Sequence, residues 1–307
     1  MSQHEDRAEG HVVDQLIEER APSLLRRPIG RWLTRHVLYP PLGYHEAKSA
    51  IDRVQGFSGA RILTYAADEI AMRVRMLGGS RLPAKGRVVI AANHPTGLAD
   101  GVALWHALSP IRGDLRILAN GDALRIAPSL GDIFIPVEWM KSRRNAAGSR
   151  RVLGELARVL REEGALVFFP SGRLAFLHWQ GLKERPWLPT VVSVARKFGA
   201  PILPLHIRAC NSWLFYALSQ FSHELRDVTL FHELLNKRGR RFELTLGLPI
   251  EPAELPDDPA EAVRLLQHHV EIELPRACRV HPRIRPTQPR PAWLPAPLTA
   301  SRQLSRS

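Results

Sequence analysis

Only two of the 307 residues are cysteines, Cys210 and Cys278. A disulfide framework is thereby excluded, and the pair lacks metal-site spacing. The expected compartment is a reducing cytosol. Long hydrophobic runs are missing too. No stretch reaches the 18 or so consecutive apolar residues of a membrane-spanning helix. The start, polar and mixed in charge, has no apolar core of a secretory signal. Also absent are a Walker loop, a GxGxxG turn, a GxSxG elbow, an HExxH helix and any repeat at 20–50 residue spacing. These absences exclude the signatures of phosphate-loop, dinucleotide-binding, serine-hydrolase and zinc-peptidase sites. With 45% apolar and 24% charged residues, the chain is not mainly disordered, and it is no coiled coil.

Charge is more informative. The formal net charge is +13, which favours anionic partners: a membrane surface, phosphate-bearing substrates or nucleic acid. It is unevenly placed. Residues 276–307 hold seven arginines and no acid, leaving +6 for the other 275 residues. That tail has one aromatic, Trp293, a poor stacking platform, so no specific nucleic-acid partner is expected.

Three regions are expected. Residues 1–80 read as mostly helical. Ile62, Ala66, Ile70, Val74 and Leu77 fall on one helical stripe. Between the first helices, Pro28–Tyr44 mixes Trp32, Leu33, Val37 and Leu38 with Arg26, Arg27, Arg31 and Arg35, the make-up of an interfacial helix. Residues 81–275 alternate short apolar strands with helices. Strands are predicted over Val88–Ala92, Leu115–Ala119, Ile133–Val137, Ala165–Phe169, Ile202–Ile207 and Phe242–Leu248. Helices are predicted over Leu98–Leu108, Leu124–Leu130, Arg150–Glu163, Pro189–Phe198 and Pro259–Glu273. That alternation predicts an α/β domain with a mostly parallel central sheet flanked by helices. Residues 276–307, rich in proline and arginine, cannot build a core and should be disordered.

The strongest chemical signal is AANHPTGLADG, Ala91–Gly101. A buried strand ends at Asn93, and His94 follows at the strand's carboxyl end, where such sheets place ligand sites. Pro95 and Gly97 shape a tight loop, and Asp100 starts the next helix. An imidazole takes a proton near pH 7, and a carboxylate can fix its tautomer. No Ser or Cys nucleophile is signalled nearby, so the pair suits direct attack by an activated hydroxyl.

AANHPTGLADG resembles the His–Asp block of the phospholipid/glycerol acyltransferase superfamily, which includes the lysophosphatidic acid acyltransferases. GDIFIPV, Gly131–Val137, resembles the second block, and VFFPSGRL, Val167–Leu174, the third. APILPLHI, Ala200–Ile207, resembles the fourth, and NKRGRRFELTLGLPI, Asn236–Ile250, the closing strand. All occur in the family's order, over about half the chain. Five residues separate His94 from Asp100, where most members have four. The longer form resembles a bacterial branch labelled hemolysin-like or ornithine-lipid-type. Two further departures touch the acceptor site. The third-block Glu is Ser171, and the second-block Arg position falls at Val137. Both family residues are tied to glycerol phosphate, so the two changes count against a glycerol-phosphate acceptor, and the expected acceptor is a lysophospholipid or related lysolipid.

The resemblance implies transfer of a fatty acyl group from acyl-CoA or acyl-carrier protein to a hydroxyl of a lysolipid, with no cofactor and no metal. His94 is the expected general base and Asp100 its orienting partner. Asn93, Gly97, Ser171, Gly172 and Arg173 are expected around the substrate. Backbone N–H groups of Pro170–Arg173, together with Arg173, are expected to meet the oxyanion. Lys141, Arg143 and Arg144 could replace the missing second-block Arg. An anionic membrane surface is the expected partner, reached through Pro28–Tyr44 and the apolar Asn211–Lys237 stretch. The expected location is the inner face of the cell membrane, as a peripheral protein. Two readings compete. The same His/Asp pair could activate water in a thioesterase or phospholipase. The basic tail could instead mark a non-catalytic membrane-surface or nucleic-acid binding protein.

Overall fold

The computed structural model describes residues 10–138, 145–179 and 181–277. The expected disordered tail lies outside these residues, save for its first two positions.

The chain opens with five helices: α1 (Val12–Arg20), α2 (Pro22–Arg26), α3 (Pro28–Leu33), α4 (Tyr44–Arg53) and α5 (Gly59–Glu69). α3 runs on into a wider π turn over Thr34–Leu38. Val13, Ile17, Leu25, Tyr39, Tyr44 and Ile51 form a small additional core together with Val228 from far along the chain. α5 instead joins the main core, through Ile62, Leu63 and Ala67.

The helical stripe over residues 62–77 stops early. Ala71 takes a positive φ of 42°, and β1 (Arg73–Leu77) follows as a strand. Val74 and Leu77, expected on a helix, stand on this strand. The override is tertiary. β1 finds a parallel partner in β9 (Arg241–Leu246), with Val74 opposite Phe242, and strand preference follows such packing more than local rhythm.

From there strands and helices alternate: β2 (Val88–Ala92), α6 (Leu98–Leu108), β3 (Leu115–Asn120), α7 (Asp122–Ile126), β4 (Phe134–Val137), α8 (Ala146–Arg161) and β5 (Ala165–Phe168). A small hairpin follows, β6 (Phe176–His178) and β7 (Gly181–Lys183), which the sequence reading did not anticipate. Then come α9 (Thr190–Phe198), β8 (Ile202–Arg208), α10 (Trp213–Phe221), α11 (His223–Val228), α12 (Leu230–Leu235), β9, α13 (Pro259–His268) and α14 (Leu274–Ala277). The seven-stranded sheet has the order β1-β9-β8-β2-β5-β3-β4. All pairings are parallel except β8 with β9. β1 and β9 therefore run against the other five.

Central strands covered on both faces must be apolar at every position. All residues of β2 and β5 are buried. Alternate side chains enter opposite cores. Val88, Ile90 and Ala92 join Ala103, Leu104 and Leu108 of α6, whereas Val89 and Ala91 join Leu160 of α8 and Val191 of α9. With both faces closed, the carboxyl ends of β2, β5 and β8 form one rim.

The opposite rim is held by Arg112. Its buried guanidinium donates to both oxygens of Asp114 (2.9 and 2.7 Å) and to the carbonyls of Pro83, Gly86 and Glu163. The same contact holds the Asp114 carboxyl below the usual carboxylate range. A lysine cannot supply this fork. Arg112→Ala, which strands several acceptors, should lower unfolding free energy by about 3 kcal/mol in denaturant titrations, and Arg112→Lys should recover less than half of that loss.

Candidate active site

Asp100 is the third residue of α6 and is completely buried. A buried carboxylate needs donors on its oxygens, and the preceding turn supplies them. The N–H groups of Thr96 (2.9 Å) and Gly97 (3.0 Å) donate to Oδ2, and the Thr96 hydroxyl donates to Oδ1. The positive end of α6 favours negative charge at that place. Gly97 makes the turn possible. Its φ of +88° is unfavourable for L side chains, and a Cβ there would come within 3.2 Å of Leu174.

The remaining donor to Asp100 Oδ2 is His94, through Nδ1 at 2.9 Å. An ionised carboxylate only accepts, so the proton of this contact belongs to Nδ1, and in a neutral ring that leaves Nε2 as the acceptor. Asp100 has no exposure, whereas the His94 side chain keeps 20% of its surface. The imidazole face stacks on Phe169, with centroids 4.1 Å apart and planes 28° apart. Ring plane and tautomer are thus both set by neighbours.

The His94 peptide is gripped as well. Its carbonyl accepts the Ala175 N–H (3.0 Å), and its N–H donates to Glu184 Oε1. The other Glu184 oxygen accepts the Trp187 indole N–H (2.8 Å). Burial pushes the Glu184 pKa up to about 7, against the pull of these two hydrogen bonds. Sequence reading missed Glu184, Phe169, Thr96 and Trp187. Glu184 meets His94 across 90 residues, so no local pattern marks it.

Several expected substrate contacts are engaged elsewhere. Asn93 uses both ends of its amide on β8: Nδ2 donates to the Ile207 carbonyl (2.9 Å) and Oδ1 accepts the Ile207 N–H (2.6 Å). It extends the β2–β8 ladder rather than presenting an amide to a substrate. The Gly97 N–H belongs to Asp100. Ser171 closes its own loop, its hydroxyl donating to the Arg173 carbonyl (2.8 Å). The Gly172 N–H, expected at an oxyanion, donates to the Phe169 carbonyl (2.9 Å). The Arg173 side chain is exposed, two residues from the Ala175 contact. Lys141, Arg143 and Arg144 lie outside the described residues. At the same rim a cavity of about 550 Å³ opens between Asn93, Pro95, Glu184, Arg264 and Glu271, within the usual size of ligand pockets.

Residues 73–208 match the family model described as Acyltransferase. Two similar curated proteins carry the name lyso-glycine lipid O-acyltransferase. The one from Phocaeicola vulgatus is 28% identical over 185 residues, covering 58% of this chain and 64% of that protein. The one from Bacteroides thetaiotaomicron is 24% identical over 185 residues, covering 58% of this chain and 66% of that protein. This chain thus spans slightly under two thirds of either relative. A solved 1-acyl-sn-glycerophosphate acyltransferase, PlsC from Thermotoga maritima, is 15% identical and covers 87% of this chain and 97% of its own. Its TM-score is 0.45.

The buried Glu184 carboxyl carries a pH test. Folded chains keep its proton to about pH 7, whereas an ordinary glutamate releases it near 4.5. The folded state then binds more protons across that window, so stability falls as pH rises through it. Melting temperatures of the wild type should decline across that window more steeply than those of Glu184→Gln. Parallel profiles would remove the buried-acid assignment.

Proposed function

We propose that the chain is an O-acyltransferase of the glycerolipid acyltransferase superfamily that acts on a lysolipid hydroxyl, a reading supported by the match of residues 73–208 to the Acyltransferase family model and by the similarity to two lyso-glycine lipid O-acyltransferases. The observation that carries the reading is the His94–Asp100 pair, with Nδ1 bonded to a fully buried carboxylate and Nε2 left to accept a proton.

In this reading the acceptor hydroxyl gives its proton to His94 Nε2 while its oxygen attacks the carbonyl carbon of an acyl thioester. Asp100 holds the ring and stabilises the imidazolium that forms. The developing oxyanion faces the Arg173 guanidinium. As the intermediate collapses, the C–S bond breaks and His94 returns the proton to the leaving thiolate. Ester and free thiol are the products. The co-substrate is acyl-CoA or acyl-carrier protein, and no cofactor is consumed.

The acceptor we favour is a lysolipid with an amino-acid head group. The relatives' names specify a lyso-glycine lipid, and Val137 and Ser171 stand where glycerol-phosphate enzymes of the superfamily carry Arg and Glu. Among the described residues no helix is long and apolar enough to cross a membrane, so the enzyme would meet its acceptor at the bilayer surface. Two exposed elements support docking there on the cytoplasmic face. α3 and its π turn present Ile29, Trp32 and Val37 beside Arg31 and Arg35. α10 presents Trp213 at 80% and Phe221 at 83% exposure, while Phe215 and Tyr216 of the same helix are buried. Such mixtures bind by apolar burial plus attraction to anionic lipid.

Labelled acyl thioester offered with lyso-glycine lipid, with lysophosphatidic acid or alone tests the reading. Labelled ester should form with lyso-glycine lipid. His94→Ala should lower its rate by about 10²–10⁴-fold with an unchanged circular dichroism spectrum. Retained turnover in that variant would refute the base assignment, and equal release of free fatty acid with or without acceptor would make the protein a hydrolase.

A further inference from the structure

The hairpin of β6 and β7 takes no part in the chemistry above. It forms a separate two-stranded sheet, an arrangement barely stable in water by itself. Its support comes at its two roots, and both roots grip the same residue. Before β6, the Ala175 N–H holds the His94 carbonyl. After β7, the Glu184 carboxyl holds the His94 N–H, and the buried Trp187 indole braces Glu184 from behind. The hairpin is therefore anchored on both sides to the His94 peptide.

Its surface is unlike an ordinary solvated turn. Trp179 is 85% exposed, Leu177 50% and Phe176 36%, with Leu188 beside them at 52%. Exposed apolar residues scattered singly are common, but a run of them within one small element marks a contact surface. The exposed charge on the segment itself has one sign. From Arg173 to Leu188 the only acid is Glu184, and it is buried beneath the hairpin. Arg173 and Arg185 are exposed. The Arg185 guanidinium lies over the Phe176 ring, 5.3 Å from its centroid, so cation and aromatic ring are offered together. Tryptophan and aliphatic side chains framed by arginines match the layered chemistry of a bilayer surface, acyl chains below and anionic head groups above.

We propose that the β6–β7 hairpin docks on an anionic lipid surface, with Trp179 and Leu177 entering the acyl layer and Arg185 meeting the head groups. This sets the rim that carries His94 against the bilayer. The proposal borrows from the acyltransferase reading only the idea that the acceptor sits in that bilayer.

The test uses the full chain and no turnover, so a failure of acyl transfer would leave its outcome standing. The probes are phosphatidylcholine vesicles with and without phosphatidylglycerol, and the same vesicles with brominated acyl chains. Binding should require phosphatidylglycerol and weaken with salt. Brominated chains should quench part of the wild-type tryptophan fluorescence, and Trp179→Phe should bind equally well while losing much of that quenching. Trp179→Asp should bind about tenfold or more weakly, with an unchanged melting temperature. Equal quenching in wild type and Trp179→Phe would overturn the proposal, as would undiminished binding by a folded Trp179→Asp. A lower oligomeric mass for Trp179→Asp without any change in vesicle binding would assign the hairpin to a contact between copies of the chain. Should Trp179→Asp fail to fold, the Trp179→Phe comparison alone decides.

Discussion

The site depends on a carboxylate that cannot reach water. Asp100 lies fully buried under the first turn of α6, and four donors converge on its two oxygens. Three come from Thr96 and Gly97, inside the turn that leads into the helix. Those three make the carboxylate tolerable in the interior, and the helix terminus adds its dipole. Only with the charge so secured can the fourth donor, the His94 ring, be held in one tautomer. Loss of Asp100 would strand the donors of its own turn, so the turn's shape and the imidazole's orientation stand on the same group.

The second constraint acts on the His94 backbone. A loop residue at the end of a strand is free to swing unless its peptide is tied. Here β2 is paired on both sides, by β5 and β8. Asn93 carries the pairing with β8 one step beyond the strand. Ala175 and Glu184 then close on the His94 carbonyl and N–H, while Phe169 covers the ring face. Segments after β5 and β7 thus meet at His94, while β8 holds the residue before it. The catalytic-type pair is local, but its rigidity is assembled from distant parts of the chain.

The two rims of the sheet differ accordingly. At the amino rim, Arg112 satisfies backbone carbonyls and Asp114 within a closed set of contacts, so its polar groups serve stability. At the carboxyl rim, polar groups face an opening: His94 keeps some exposure, a cavity lies behind its loop, and Arg173 reaches solvent. Exposed aromatic residues on α10 and on the β6–β7 hairpin also stand clear of the main cores.

What could be read from the linear chain was whatever depends on near neighbours. Runs such as Val88–Ala92 and Ala165–Phe168 announce strands buried on both faces. The stripe of Leu156 and Leu160 announces α8. His94 and Asp100 announce a pair because six residues and a helix start suffice to bring them together. Tertiary structure decided the rest. Val74 and Leu77 continue a helical rhythm but stand in a strand, because β9, more than 160 residues later, offers a parallel edge. Glu184 looks like any surface glutamate until the fold carries it under His94. Asn93 looks like a site residue until β8 arrives to take both ends of its amide. The physical reason is common to all three: a hydrogen bond between distant residues leaves no periodic trace in sequence, since its partner is chosen only when the sheet closes.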